Sequence, residues 1–558
     1  MSSRPALVDP QGRPLTAEPP RARARASTGA PSARYPYGQA AFPYQAASWI
    51  SPEMGEWQPQ IRSPDSEINQ FRDRMVARQR DLVRNDGMAS GGIAKILDNT
   101  VGSRFRWRST PDYRALAQAT GIKAFDAAWA NEYRQAAESR WRGYSEDVGR
   151  YSDVSRQLPL AEQLRLALRH KLVDGDSLMV AYHLPERVGR GRAKYATAWK
   201  LIDPDRLSNP YQQQDDRYLR GGVEIDDDDV PVAVHIRKAQ PNDWYAGVDQ
   251  MTWERVLIED EDGWRRVIHD FDHDRANQHR GVGVFAPVLA RLKMLATYYG
   301  LELQQAALQA SLGTYLTSPY DPAQVMDAVG QDDDSLSAYQ QLRLDWAKER
   351  PALFNGVNVA GLAPGEDIKT VSSTHPHEGF EAFAHEMQAG SASALGITLE
   401  QFNQRWNEMN YSNARGSFMD TWKTLIRRRH QFETGTANPV VTTWMHEPFE
   451  NGELPLPAGA PDYIEHRTEY SRGMWLGPAR GWMDPVKEPQ GAVLEMDAGL
   501  TTLQEVGGVQ GFDYEERLDQ RAIEVQAFKD RGLTPPSWAA MNVGADQASQ
   551  PQEVPKAK

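Results

Sequence analysis

At 558 residues the chain exceeds one simple core, and its length argues for two to four domains or subdomains. Hydrophobic content of 40% and charged content of 25% are those of a folded globular protein, and zero cysteines exclude disulfides, thiolate zinc sites and cysteine nucleophiles together. A net charge of −13 tells against a protein that grips nucleic acid over a broad basic face, but permits one past which a polyanion must slide without sticking. No stretch approaches the roughly 18 continuous apolar residues of a membrane span, and the first residues lack the apolar core of a secretory signal.

Residues 1–65 open the chain as a basic arm. Residues 1–50 hold eight prolines and six arginines against Asp9 and Glu18, a composition that predicts disorder or ordering on a partner. Helix is predicted from Ser66 to about residue 98, with Ile68, Phe71, Met75 and Leu82 on one face and a break at Asn85, Asp86 and Gly87. Its second part carries Ile93, Ile96 and Leu97. A helix over 122–150 carries the aromatic stripe Phe125, Trp129, Tyr133 and Trp141, and another over 158–175 carries Leu160, Leu164, Leu168 and Leu172.

The period then changes to two. Segments 178–183, 196–202, 230–236, 253–258 and 265–270 read as strands, so 177–270 is mainly antiparallel β-structure. Residues 188–194 fit a basic hairpin tip and Asp226 to Asp229 an acidic one. A long helix follows from Val284 to Leu312, with Val288, Leu292, Leu295, Tyr299 and Ala306 on one face, and a further one near Ser335 to Arg350. Phe380, Phe383, Met387 and Leu395 mark a helix that stops at Gly396, and Phe418, Trp422, Leu425, Ile426 and Phe432 mark another over 413–434, with Ser412 as its candidate N-cap. The stretch between them is rich in Asn, Gln and Glu. It reads either as a surface connection or, at roughly three times the usual loop length, as a functional loop. Proline-rich turns extend through Pro461, helices return at 485–499 and 513–531, and 543–558 is a polar tail predicted to be disordered.

Few constellations carry chemistry. Residues 269–279 hold three histidines and three aspartates, which are metal-ligand types, but on a strand His269 and Asp270 point to opposite faces and no ligand spacing is met. His375, His377 and His385 are weaker still. Neither a phosphate-binding GxxxxGK[ST] loop nor a GxSxG elbow occurs. The expectation is a non-enzyme with no catalytic, cofactor-binding or metal-binding residues. Its rivals are a generic structural or adaptor protein, which also lacks catalytic motifs, or a metal-dependent nuclease using 269–279. Arg427, Arg428 and Arg429 read either as complements to the C-terminal dipole of their helix or as a basic ring facing DNA or a neighbour's acids.

The order of short blocks resembles the lambda-type portal proteins of tailed bacteriophages. The blocks are residues 80–85 followed by 101–103, Ser208 to Pro210, Arg280 and Gly281 with Val284 and Phe285, and Lys293 to Leu295. Pro364 and Gly365, Gly379 and Phe380, Leu395 and Gly396, and Glu400 and Gln401 follow in the family's order. The most specific run is Met409, Tyr411, Ser412, Ala414, Arg415 and Ser417, and Ala498 to Leu500, Asp513, Tyr514, Pro535, Pro536, Trp538 and Ala539 close the series.

The resemblance implies an α+β portal fold. Its parts would be a mixed wing over 66–280, a first stem helix over 281–312, a clip insert over 313–376 and a second stem helix over 377–396. A tunnel loop over 397–411, a long helix over 412–438, a connection over 439–484 and a helical crown over 485–542 would follow. It implies a ring of twelve copies at one capsid vertex in the virion, assembled in the host cytoplasm and without a membrane. The implied partners are the major capsid protein, the terminase large subunit, a head–tail adaptor and double-stranded DNA passing through the channel. In the tunnel loop Gln404, Arg405, Asn407, Glu408 and Asn410 would touch the DNA, while Phe402 and Trp406 anchor the loop. Trp129, Tyr133 and Trp141, or Trp475 and Trp482, would contribute to contacts between subunits.

Overall fold

The computed structural model describes residues 54–311 and 379–533 apart from 262, 408 and 483, together with residues 46, 52, 315–317, 341, 345, 352–354, 357–359 and 367–369. Most of the arm, the helix expected near 335–350 apart from residues 341 and 345, which are helical, His375, His377 and the tail lie outside the described residues. The chain divides into two units, Met1–Arg62 and Ser63–Lys558, and all elements below belong to the second.

Asp86 splits the first helical run. Its extended backbone ends α1 (Pro64–Asn85), and its side chain accepts from the Ala89 N–H to cap α2 (Gly87–Thr100). The buried face of α1 is not the expected one: Arg72, Val76, Gln79 and Val83 are buried with Leu82, while Phe71 is exposed. Apolar periodicity missed this face because Arg72 turns inward to pair with Asp176 at 2.6 Å. Strand β1 (Arg106–Ser109) and helix α3 (Tyr113–Thr120), both too short for a periodic signal, lead to α4 (Ala127–Ser145) and α5 (Leu160–Val173). The predicted stripes of α4 and α5 are all buried.

Strands β2 (Asp176–His183) and β3 (Thr197–Ile202) pair antiparallel across the basic tip, and β8 (Val267–Phe271) adds to the other edge of β2. A second sheet runs in the order β4 (Leu219–Arg220), β5 (Val223–Ile225), β6 (Pro231–Arg237) and β7 (Trp253–Leu257), also antiparallel. Alternation along β2 builds two cores at once. Leu178 and Val180 join Ile202, Val223, Val234, Ile236 and Val256, whereas Met179 and Ala181 face the helices.

Helix α6 (Leu289–Ser311) begins five residues later than expected, with Val288, Leu292 and Leu295 buried. Short antiparallel pairs join β9 (Tyr315–Thr317) to β12 (Asp367–Lys369) and β10 (Ala352–Phe354) to β11 (Val357–Val359). Then come α7 (Phe380–Leu395), α8 (Leu399–Asn403) and α9 (Tyr411–Phe432). Helix α9 does not stop where expected. It continues through a π-turn, Glu433–Ala437, into α10 (Asn438–Glu450). Proline-rich turns are the sequence expectation here because Pro439 and Pro448 look like breakers. Pro439 lies in the first turn of α10, where a missing N–H costs little, directly after the wider π-turn.

Trp444 of α10 is wholly buried and centres the main core, with ring centroids 5.0 Å from Trp141, 5.4 Å from Tyr144 and 5.5 Å from Tyr195. After α11 (Arg467–Ser471), β13 (Gly473–Leu476) returns to pair with β1, placing Trp475 on Phe105 at 4.6 Å. Trp129, Tyr133, Trp141 and Trp475 are therefore filled positions of the chain's own core, which corrects their expected place in subunit contacts; Trp482 stays partly exposed. Helices α12 (Lys487–Asp497), α13 (Leu503–Val509) and α14 (Tyr514–Asp530) close the described chain. Among the described residues, no helix is long and apolar enough to cross a membrane.

Candidate functional site

The segment from α7 to α9 is held by its two ends. Gly396 takes a left-handed conformation with φ of 65° and ends α7, as the sequence predicts; a Cβ there would meet Thr424 of α9 at 2.8 Å. Thr398 then starts α8 with a capping box: its hydroxyl accepts from the Gln401 N–H while the Gln401 side chain accepts from the Thr398 N–H. Helix α8 thus takes 399–403 out of the expected loop and leaves 404–410 as its irregular part. Leu395 and Phe402 are buried against α2, so near that a Cβ on Gly92 would lie 2.9 Å from Leu395 Cδ1 and 3.3 Å from the Phe402 ring. Buried Gln388 of α7 couples the parts, donating to the Tyr299 hydroxyl of α6 at 2.7 Å and accepting from Asn403 Nδ2 at 3.0 Å.

The expected loop residues fall into different surroundings. Gln404 ends α8 in a left-handed conformation with its side chain donating to the Gln401 carbonyl. Arg405 is exposed and forms an ion pair with Glu381 of α7 at 2.9 Å, so its charge is already matched. Trp406 is 41% exposed and stacks on Phe418 of α9 at 5.7 Å, while Asn407 is exposed. Glu408 lies outside the described residues. Asn410, rather than Ser412, is the N-cap of α9, accepting from the Asn413 N–H at 2.9 Å.

The three arginines do not sit together as one group. Their helix does not end beside them, so there is no C-terminus for them to complement. Arg429 is buried and donates to the carbonyls of Asn99, Thr100 and Pro478, closing the end of α2. Burial lowers its pKa and lifts that of Glu433, one turn on, to about 7. Arg428 is largely enclosed, its Nη1 buried without a partner; burial lowers its pKa, Asp272 opposes and Arg427 adds to the lowering. Only Arg427 of the three is exposed. Lys423, one turn before it on the same face, is exposed as well.

The histidine and aspartate cluster disperses into separate networks. His269 reaches Asp176, whose carboxyl burial would raise but Arg280 and Arg72 hold well below the usual range. On the opposite face of β8, Asp270 takes Lys171 Nζ at 2.9 Å and the Thr436 hydroxyl at 2.8 Å. His273 stacks on Phe271, and His279 pairs with Asp65. Among the described residues, no group of three or more such side chains could hold a metal ion. The buried ion networks Arg72–Asp176–Arg280 and Arg80 with Asp174, Asp203 and Asp205 had no signature in apolar spacing.

Comparison with known proteins adds the family. A family model described as "Phage portal protein, lambda family" matches residues 51–429, more than half of the chain. The chain is 28% identical to the portal protein of Escherichia phage N15 over 87% of this chain and 90% of that one, and 28% identical to portal protein B of Escherichia phage lambda over 88% and 90%. Among solved structures it is similar to a chain in the neck of an empty gene transfer agent particle, with 13% identity, 78% and 93% coverage and a TM-score of 0.41. With the family model spanning α1 to most of α9, the chain belongs to the lambda family of phage portal proteins, structural proteins of the virion rather than enzymes.

Proposed function

We propose that the chain assembles as a ring, of twelve copies in the particle, around a channel at one capsid vertex through which double-stranded DNA is packaged and ejected. The observation that carries this reading is the family match, whose bounds, residues 51–429, take in the α6–α7 pair and the 397–410 segment. In this reading residues 66–280 form the wing, α6 and α7 the stem pair, 313–376 the clip, and 485–542 the crown. The irregular segment 404–410 projects into the channel and α9 backs it. Gln404, Asn407, Glu408 and Asn410 offer a polar, weakly charged surface, and Arg405 is balanced by Glu381. A net charge of −13 supports a conduit, because an acidic lining leaves the duplex no deep electrostatic minimum in which to stall. The clip docks the terminase large subunit during packaging and the head–tail adaptor afterwards, the wing meets the major capsid protein, and assembly takes place in the host cytoplasm. The energy for packaging comes from the terminase. Negative-stain imaging of the purified chain tests the reading: toroids with a central hole of duplex width are expected, and a monomer or a closed particle without a hole would sink it.

A further inference from the structure

An open groove of about 690 Å³ lies between α9, α12 and α13. Much of its wall is apolar and aromatic: Phe418, Met419 and Trp422 come from α9, Trp482 from the connection before α12, and Val506 and Val509 from α13. Met419, Trp482 and Val509 are 48%, 39% and 43% exposed, so each still has apolar surface to bury. Helix α12 contributes Gly491 and Ala492 to the same wall and buries none of its 11 residues. A helix of that length is marginal without a packed face.

Most of the charges that line the groove are already matched. Arg480 pairs with Glu488 at 2.9 Å, Lys487 lies 3.8 Å from Asp484, and Glu505 accepts from the Thr502 N–H at the start of α13. The other two, Arg415 and Glu495, are of opposite sign. Matched charges around aromatic walls suit an uncharged segment that carries proline and aromatic side chains, rather than an ion or a strongly charged partner.

The chain itself carries such a segment outside the described residues. Residues 534–545 follow Leu533, just past α14, hold no charged residue, and include Pro535, Pro536, Trp538 and Met541. Adjacent prolines favour the extended polyproline conformation, which enters an aromatic groove with little loss of chain entropy, and tryptophan is enriched among residues that anchor such contacts. Fully extended, twelve residues span about 40 Å, whereas α14 is about 26 Å long, so the far end of α14 does not put the groove out of reach. A tethered segment is present at an effective concentration on the order of millimolar, which a separate partner would have to exceed. Residues 35–52 are also free of charge, but they precede α1, no residue of which lines the groove.

We propose that residues 534–545 dock into the groove between α9, α12 and α13 of their own chain, with Trp538 as the anchor, and that this docking gives α12 its packed face. The absence of cysteine makes a clean test possible in the full-length chain, because disulfides close only between positions whose Cα atoms approach within about 7 Å. Ala539→Cys is combined in turn with Met419→Cys and with Val509→Cys, both exposed groove positions, and disulfide formation under mild oxidation is followed by gel mobility. At least one of these pairs should close tenfold faster than Ala539→Cys with Val148→Cys, an exposed position outside the groove. Adding Trp538→Ser should slow that pair tenfold or more. In hydrogen exchange the same substitution in the cysteine-free chain should strip protection from α12 and leave α5 unchanged. Groove pairs no faster than the Val148→Cys control would overturn the proposal. So would closure rates or α12 protection indifferent to Trp538→Ser, or disulfides that join two chains, which would give the groove to the tail of a second copy. Ala47→Cys, in the uncharged stretch 35–52, is the last control: closure with Met419→Cys as fast as that of Ala539→Cys would overturn the assignment to the tail.

Discussion

Helix α5 buries eight of its fourteen residues, whereas α12 and α14, with 11 and 17 residues, bury none. Helix α5 is held by Leu160, Leu164, Leu168 and Leu172 in the main core. Helix α14 is held mainly by charge: Asp513 and Glu515 bond Arg108 at 3.0 and 3.1 Å, Glu515 also bonds Arg134, and Glu516 meets Arg106 and Arg142. Leu518 and Ile523 of α14 and Val493 and Leu494 of α12 remain exposed. A body closed on its own apolar core folds whether or not neighbours are present. Helices that bury nothing and hang on ion pairs have low local stability in the single chain.

That contrast can be broken most strongly in the body. Asp176→Ala would leave Arg280 buried without a carboxylate and Arg72 with only the exposed Asp73 at 3.6 Å, and should cost about 3–5 kcal/mol in denaturant unfolding. A loss below about 1 kcal/mol would show that the network is dispensable. Asp513→Ala removes both the N-cap of α14 and a partner of Arg108, and should cost about 1–2 kcal/mol. Hydrogen exchange should then show lost protection in α14 with α5 unchanged; equal loss in both would mean that the two regions unfold as one.

Proton titration sharpens the same junction. Burial raises the Glu138 carboxyl to about 7, with Asp513 adding to the rise, and Arg134, Arg108 and the Ser109 N–H opposing it. The folded state therefore holds a proton that the unfolded chain has released above its usual value of 4.5. Stability from this group is complete below about pH 4.5 and is lost as pH climbs to about 7, with a slope of at most about 1.4 kcal/mol per pH unit. Glu433, also raised to about 7 by burial against the opposing Arg429, acts in the same direction. Glu138→Gln should flatten part of the slope between pH 5 and 7 in unfolding measured across that range; an unchanged profile would remove Glu138 from the account. The smallest effect belongs to the exposed pair between Arg142 and Glu516. Arg142→Ala should change stability by no more than about 1 kcal/mol, a difference that added salt should shrink further.

Much of the architecture was legible wherever burial is apolar and periodic. The stripes of α4 and α5, the strands β2, β3, β6, β7 and β8, the break at Asp86 and the stop at Gly396 all follow from local spacing and backbone preference, whereas β4 and β5, at two and three residues, are too short to show a period. Spacing failed where polar groups are buried. Arg72 and Gln79 occupy the inner face of α1 because Asp176 and the Phe285 N–H wait for them across the fold. Three consecutive arginines looked like one basic feature, but helical geometry turns them in different directions. Arg429 closes α2 and Arg428 is enclosed, while Arg427 joins Lys423 outside. The 404–410 segment was recognisable as a departure from helix, yet α8 within the expected loop depends on Phe402 being buried against α2, over 300 residues earlier in the chain.

By itself the sequence determined the class of element along most of the chain, since side-chain periodicity and capping residues act over a few positions. It also determined the family, through the order of its short blocks. Only the tertiary structure decided which charges are matched inside the chain and which are left facing outward. Ion pairs join residues about a hundred or more positions apart, as Arg72 with Asp176 and Arg108 with Asp513, and no local pattern encodes such a meeting.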